Sequence, residues 1–563
     1  MVSATDVSVV QITVAGSTLA ADFMDELALV RVDESVHMPS QCTLHFNDLW
    51  FNLFNRRTLK IGSELSVAFR FEGKPVTVFD GEVVSVSSDH GRGTGDEMVV
   101  TALDRGHRLH RQAHARTFLK QTDSAVAQKI AQEHGLQATV DATSQQHEYV
   151  VQHGETDFDF LRGRAERIGY QFWVSGKKLY FKRRPEGTEG SNTTLTWGSN
   201  LIQMRARLSA VDHLDEVTVR GWGATNKESV QGKSTASSPP VTFTTASART
   251  QVASDAKTFG ASAHMTGQVP VDSVNDAESL ARSMMTRAIG SDVVLRGEAM
   301  GNPNIGAGRE VTISGAASSL DGTYLLTSVE HTFGADVPYR TRFTSAGADP
   351  IELPDLLRVE AQGGNAGGWG GFFAGVVTNV NDPETLGRVK VKIATLGDEV
   401  ESGWARVVSP GAGKDRGFEL LPEVQDEVLV GFEFGDMQRP FVIGGLWNSK
   451  DGLPDAAAIA DGKVKQRVWK SRLGHKIEMV DDDGKPALNI THSGGTTKIE
   501  LTKDNGVAVT SDKPVTVKGK DVTLEATGNL TFKGQKISLK GSGGVQIDGG
   551  PDVTVKGSQI KLN

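Results

Sequence analysis

One cysteine, Cys42, stands among 563 residues. It excludes an internal disulfide framework, and no Cys cluster exists to hold zinc or an iron–sulfur centre, so a reduced folding compartment is the simplest expectation. Excess positive charge is missing as well. The net charge is −9, with both signs scattered along the chain, and no basic face is offered to nucleic acid or anionic lipid. No apolar run approaches the ~20 residues of a membrane-spanning helix. The N-terminal MVSATDVSVVQITVAG lacks a basic region followed by a continuous apolar stretch, so no signal peptide is expected. Neither a Gly-x-Ser-x-Gly elbow nor an HExxH helix is present, and the chain has no nucleotide motif.

What is present reads as β structure. The length implies roughly three to five domains, and 63 glycines beside abundant Val and Thr favour turn-rich sheets over helix bundles. Residues 1–105 carry short Val-rich runs such as VSVVQITV, ELSVAFRF and EMVVTAL, the pattern of one barrel or sandwich. Residues 106–204 contain two helical stripes. One runs from Ser124 to His134 through Val126, Ala127, Ile130 and Ala131; the other runs from Phe158 to Ile168 through Leu161 and Ala165. Each ends at a glycine, Gly135 or Gly169. A hairpin, YQFWV and KLYF, follows. Residues 205–358 return to strands, with a Ser/Thr/Ala-rich stretch at 231–262 expected to be loop-like, and one helix from about Asn275 carrying Ala277, Leu280, Ala281, Met284 and Ala288. A Gly-rich linker occupies 359–371, a compact all-β unit 372–450, and a loose connector, including DGLPDAAAIADG, 451–498.

Residues 499–563 hold a repeat. Apolar pairs flank a single residue at Ile499/Leu501, Val507/Val509, Val515/Val517, Val522/Leu524, Leu530/Phe532, Ile537/Leu539, Val545/Ile547, Val553/Val555 and Ile560/Leu562, in steps of seven or eight. Each pair puts two side chains on one face of a strand. Gly519, Gly534, Gly541, Gly549 and Gly557 follow five of the pairs, where a tight corner needs freedom in φ. Lys518, Lys533, Lys540 and Lys556 precede four of these glycines at solvated positions. Strands this short cannot make a stable ordinary meander. A prism of three intertwined chains would bury every pair on a common axis and satisfy the backbone between layers, about 40 Å long at ~4.8 Å per layer. A single-chain β-solenoid is the alternative, although its coils are usually longer.

The segments GVVTNVNDPETLGRVKVKI, SGWARVVSPGAG and LLPEVQDEVLVGFEFGDMQRPFVIGGLWN, within residues 375–448, resemble the small oligosaccharide-binding-type (OB) barrel of VgrG-type spike proteins, the hub and spike of contractile injection systems. In this segment Val389 and Val391 alternate with Arg388 and Lys390, Val428 and Val430 flank Leu429, and Gly435-Asp436 is a hairpin-turn signal. The stretch from Phe158 resembles the family's FDFL segment, and the likeness spans essentially the whole chain. It implies a mainly β fold: tandem tube-like β-barrels with a small α/β insertion, an OB-fold barrel and a C-terminal intertwined trimeric β-helix. It further implies a homotrimer that joins a sixfold tube to a threefold needle, with the pairs from Ile499 to Ile547 in the trimer core. Val553, Val555, Ile560 and Leu562 would bind a PAAR-type tip protein. The other implied partners are an Hcp-like inner-tube protein or tube initiator, baseplate proteins and effectors, with no nucleic acid, and with a target membrane met only on firing. Assembly would occur in the cytoplasm, in the baseplate of a particle that is released or kept. No cofactor, metal or catalytic residue is implied.

Two rivals are a cell-wall hydrolase on a phage tail and a receptor-binding tail fibre or adhesin. Only about fifty residues separate Asn448 from Ile499, too few for the lysozyme-like insertion of related phage spikes, and with the last strand at Ile560–Leu562 running to Asn563 a fused C-terminal effector is not expected. A fibre would not need two tube-like barrels. Three local patterns point to chemistry only weakly. His107, His110 and His114 lack an identifiable fourth ligand, the GRGTG at 91–95 lacks a P-loop lysine, and Asp481, Asp482, Asp483 and Gly484 lack the alternating ligands of a calcium loop.

Overall fold

Strands from both N-terminal strand-rich regions meet in a single sheet. In the computed structural model, which describes residues 10–36, 38–91, 94–183, 193–224, 226–237, 243–267, 269–346, 371–397 and 400–561, two units are distinguished, Met1–Asp451 and Gly452–Asn563. The first unit contains an eleven-stranded sheet. Strand Leu27–Ser35 pairs antiparallel with Ser328–Gly334, Val32 facing His331, so segments expected as separate barrels at 1–105 and 205–358 are hydrogen-bonded side by side. Period-two alternation turns Ile12, Val30, Val32, Leu44, Phe46, Leu65, Val67, Phe69 and Val100 into one buried cluster.

The helices of the α/β insertion sit where their apolar stripes predict. Helix Asp123–Glu133 begins at Thr122, whose hydroxyl accepts from the Ala125 N–H, and helix Asp157–Ile168 begins at Thr156, which accepts from the Asp159 N–H. Gly169, at φ +74°, ends the second. Their apolar stripes, including Val126, Ile130, Phe158 and Leu161, close over strands Gln171–Ser175 and Lys178–Lys182. Asp123, buried, accepts from Arg164 at 2.6 Å.

The stretch at 231–262, expected as loop, contains the end of strand Glu228–Thr235 and a helix, Ala248–Ala256. Its sequence has no apolar stripe. Ala246, Ala248 and Val252 are instead buried against Leu195, Leu295 and Tyr324, so tertiary packing of small side chains holds a helix that periodicity does not reveal. Helix Val274–Gly290 buries Ala277, Ala281, Met285 and Ile289, one position round from the expected Met284 and Ala288. It approaches strand Glu228–Thr235 so closely that a Cβ on Gly232 would lie 2.2 Å from the Ala277 backbone. Arg167 of the insertion helix reaches Asp276 at 3.0 Å.

Strands Phe372–Asn379, Arg388–Lys392, Ala405–Val407, Glu427–Phe432 and Pro440–Gly445 close into a five-stranded barrel around Val377, Val389, Val391, Val428, Val430 and Val442. Its NDPETLGR loop is folded on one carboxylate. Asp382 accepts from the backbone N–H groups of Glu384, Leu386 and Arg388 and from the Arg388 guanidinium at 2.7 Å, and that guanidinium holds its pKa well below the ordinary carboxylate value. Where Gly435-Asp436 signals a two-residue turn, the strands are joined by a longer loop through Glu433–Gly435, with Phe434 at φ +51°. Val151 of strand Gln146–Thr156 joins the barrel's core, tying insertion to barrel. The linker at 359–371, Gly371 apart, lies outside the described residues.

The seam between the two regions carries a buried imidazole. His331 donates from Nε2 to the Ile305 carbonyl (3.1 Å) and accepts at Nδ1 from the Tyr339 hydroxyl (2.9 Å). Burial lowers its pKa from 6.5 to about 4. The unfolded chain takes up this proton near pH 6.5 and the folded chain near 4, so stability is lost as pH falls through that window, by about 3 kcal/mol in all. Glu34, with its carboxylate 3.8 Å away and pushed up by burial to about 7, works the other way, its stabilisation being lost as pH rises through 7. Urea unfolding of the parent and of His331→Gln, which share Glu34, isolates the imidazole. The stability difference should change by about 3 kcal/mol between pH 7 and pH 4, and a pH-independent difference would refute the assignment.

Candidate assembly face

The second unit begins with a hairpin, Ile459–Ala460 against Lys463–Val464, inside the stretch expected to be loose. Asp461 and Gly462 both take positive φ (+51° and +72°), the geometry that a two-residue hairpin turn requires. Five strands then run up and down as an antiparallel meander: Gln466–Lys470, Lys476–Val480, Ala487–Thr491, Lys498–Thr502 and Gly506–Thr510.

No register shift interrupts this meander, so side chains line up in rows. Arg467, Met479, Leu488, Leu501 and Val507 form one row; Trp469, Ile477, Ile490, Ile499 and Val509 form the next on the same face. Val468, Glu478, Asn489, Glu500 and Ala508 point the opposite way. The two faces are inverted relative to a soluble sheet. On the polar face, Glu478 is 7% exposed and accepts from Lys476 Nζ (2.8 Å) and Asn489 Nδ2 (3.1 Å), while Lys498 pairs with Glu500 at 2.9 Å. On the apolar face, all nine hydrophobic side chains are exposed, from 37% at Ile477 and Leu488 to 69% at Val507. Covering them would contribute on the order of 10 kcal/mol per chain before ordering costs, at roughly half the 1.5–3 kcal/mol of a full burial each. An apolar surface of this kind marks an interaction site. Past Trp469 and Ile477 the face turns polar: the rings of His475 and His492 meet at 4.8 Å, and the hydroxyls of Thr497 and Ser511 at 3.1 Å.

The needle expected to start at Ile499 therefore has its first two pairs, Ile499/Leu501 and Val507/Val509, inside a meander that starts at Gln466. Two earlier pairs of the same kind, Ile477/Met479 and Leu488/Ile490, escape a search at seven or eight residues because they advance by eleven.

From Val515 onward the picture changes, and the burial expected of core residues is not supplied by the chain itself. Residues 511–561 form no strand ladder with their own chain. Val515, Val517, Val522, Leu524, Leu530, Phe532, Ile537, Leu539, Val545 and Ile547, expected in a core, are all exposed, from 52% at Ile537 to 75% at Val517. Leu524, Phe532 and Leu539 stand at 63%, 62% and 67%. The physical reason is that no second strand of the same chain lies against these short segments, so within one chain Leu524, Phe532 and Leu539 are surface residues and not core. The coil-on-coil pairing of a single-chain solenoid is not found among the described residues. Val553, Val555 and Ile560 are exposed, and Leu562 lies outside the described residues.

The weaker chemical candidates separate in space. His107 and His110 sit on one short helical turn, Arg105–His110, but His107 Nδ1 bonds the Asp104 carbonyl whereas His110 stacks on Phe158 at 4.1 Å. His114, on strand Ala113–Thr122, lies 3.5 Å from Asp157. Gly91 and Thr94 pair across a hairpin, with Arg92 and Gly93 outside the described residues. Asp482 closes a turn by accepting from the Gly484 N–H at 3.2 Å. No group of three or more His, Cys, Asp or Glu is gathered for a metal among the described residues, and none of their helices is long and apolar enough to cross a membrane.

Comparison with known proteins gives two family matches: the Alg8 N-terminal domain over residues 4–334, and the type VI secretion system/phage-baseplate injector OB domain over residues 373–447. The type VI secretion system spike protein VgrG1a of Pseudomonas aeruginosa is 25% identical over 76% of this chain and 70% of its own length. VgrG1b of the same organism is 26% identical over 81% and 64%. The chain thus spans about two thirds of the length of these curated relatives. A chain of the Francisella PdpA-VgrG complex in its lidded form shares the fold at 8% identity, covering 89% of this chain and 80% of its own, with a TM-score of 0.53.

Proposed function

Because the chain belongs to the Alg8 N-terminal domain family and is of the VgrG spike type found in contractile injection machines, we propose that it is the homotrimeric hub and spike of such a machine, without enzymatic activity of its own. The observation that carries this reading is the unpartnered apolar face of residues 466–510, continued by a repeat whose strands find no ladder in their own chain. Three copies supply both the missing hydrophobic contacts and the missing backbone partners.

In this reading the strand-rich regions at 1–105 and 205–358 face the inner tube, an Hcp-like ring or a tube initiator, with the insertion at 106–204 braced between them and the barrel at 372–450. Baseplate proteins surround the hub, and effectors travel with it. The connector at 451–498 leads into the shaft at 499–563, where Leu524, Phe532 and Leu539 take the axial positions that a single chain leaves open. Sheath contraction supplies the energy; the chain's task is to transmit force without buckling, and it meets the target membrane only on firing. Assembly takes place in the cytoplasm, in the baseplate of a particle that is released or kept.

Two experiments address the shaft. Val515→Asp or Ile537→Asp would bury three like charges on the axis, whereas substitution of Lys518 or Lys533 alters solvated positions. The aspartate variants should lose protease resistance beyond residue 511, and the lysine variants should keep it. Equal sensitivity of both sets would count against an axial core. The distal end, with Val553, Val555, Ile560 and Leu562, leaves a last layer without a next one and is the expected seat of a PAAR-type tip protein. Deletion from Val553 onward should abolish capture of the tip protein while the trimer persists. Unchanged capture would place the tip elsewhere.

A further inference from the structure

We propose that residues 466–510 form the self-association and register module of the spike: three copies of this meander close over their apolar faces first, and the shaft beyond residue 511 zips up on that closed base. The inference rests on the trimeric spike reading and adds which surface assembles and in what order.

The two segments differ in what a lone chain can do for itself. The meander's strands are hydrogen-bonded to one another without a register break, and on its polar face Glu478 accepts from Lys476 and Asn489 while Lys498 pairs with Glu500. Its backbone is therefore paired before any partner arrives, and only the apolar face is left to cover. Residues 511–561 have neither ladder nor cover in a single chain. Each of their layers orders a whole turn of chain for two buried side chains, so starting a trimer there would mean ordering three free segments at once. Once three meanders are joined, the shaft segments meet at an effective concentration set by their common base, and each layer adds to the one before.

Register gives the second argument. The shaft repeats itself every seven or eight residues, and such a sequence can pair out of step by a whole layer with little loss of apolar contact. The meander does not share that cadence. Its pairs at Ile477, Leu488 and Ile499 advance by eleven, then by eight to Val507, and Trp469 occurs once. A copy shifted by one layer would set Arg467 and Trp469 of one meander against the next strand of another and leave an end strand uncovered, so only the in-step trimer covers all nine side chains. Another copy of this chain is also the partner whose strands carry the same spacing across the whole surface. Polar groups, His475 and His492 among them, border the face at its turn end, where apolar cover stops.

The full-length chain separates the alternatives. Leu488 and Ile490 are 37% and 45% exposed within the chain, so acidic replacements there should leave the chain's own fold intact while spoiling the face. Mass measurement at micromolar concentration is expected to show a trimer for the parent, a trimer for Ile537→Asp with a protease-sensitive shaft, and a monomer for Leu488→Asp/Ile490→Asp with unchanged circular dichroism. Should the aspartate pair fail to fold, Leu488→Gln/Ile490→Gln decides by dilution, with self-association expected to weaken roughly 100-fold or more. A face variant that stays trimeric with undiminished affinity, or an Ile537→Asp chain that is monomeric, overturns the module while leaving the trimeric spike standing. A monomeric parent overturns the spike reading itself.

Discussion

A strand of three residues buries two side chains and leaves its backbone donors and acceptors without partners unless another strand lies above and below it. Everything in the C-terminal unit follows from this constraint. Where the chain can fold back on itself, between residues 466 and 510, it pairs its own backbone and turns an apolar face outward. Where its segments become too short for a hairpin to hold, from residue 511, it carries the same apolar pairs with no ladder at all. Both parts leave their apolar side chains exposed within a single chain, and the trimer proposed above is what would cover them.

The first unit follows the opposite logic, since its strands are long and its cores close within the chain. One sheet runs through both strand-rich regions, the seam passing by the neutral His331 and its Tyr339 partner. Gly232 lets helix Val274–Gly290 lie directly on a strand, and Arg167 and Asp276 clasp the insertion to the second region. Val151 extends the same continuity into the barrel.

Local chemistry was legible in the sequence where a local rule decided the outcome. The stripes through Val126 and Ile130 and through Phe158 and Leu161 announced their helices because burial repeats along a helix face, and Val389, Val391, Val428 and Val430 announced the barrel because burial alternates along a strand. Partners distant in sequence decided the rest. Helix Ala248–Ala256 has no stripe to read, as its stability comes from Leu195, Leu295 and Tyr324. The joining of the two N-terminal regions depends on pairing between residues some three hundred positions apart. The apolar repeat was visible from Ile499 because its step is constant there. Its earlier members, Ile477/Met479 and Leu488/Ile490, were hidden by longer turns that changed the step to eleven. Periodicity also picks out Leu524, Phe532 and Leu539 without saying what covers them, since a repeat specifies a face and not its partner, and their own chain leaves all three exposed.

The central claim is that residues 511–561 acquire their backbone partners from other copies of the chain. Hydrogen exchange of the full-length protein, read peptide by peptide across this segment, tests it most directly. The account predicts that these amides, unpaired in the single chain, exchange far more slowly than free peptide, as slowly as those of the barrel at 372–450. Exchange at free-peptide rates in a protein whose mass is that of a trimer would contradict it.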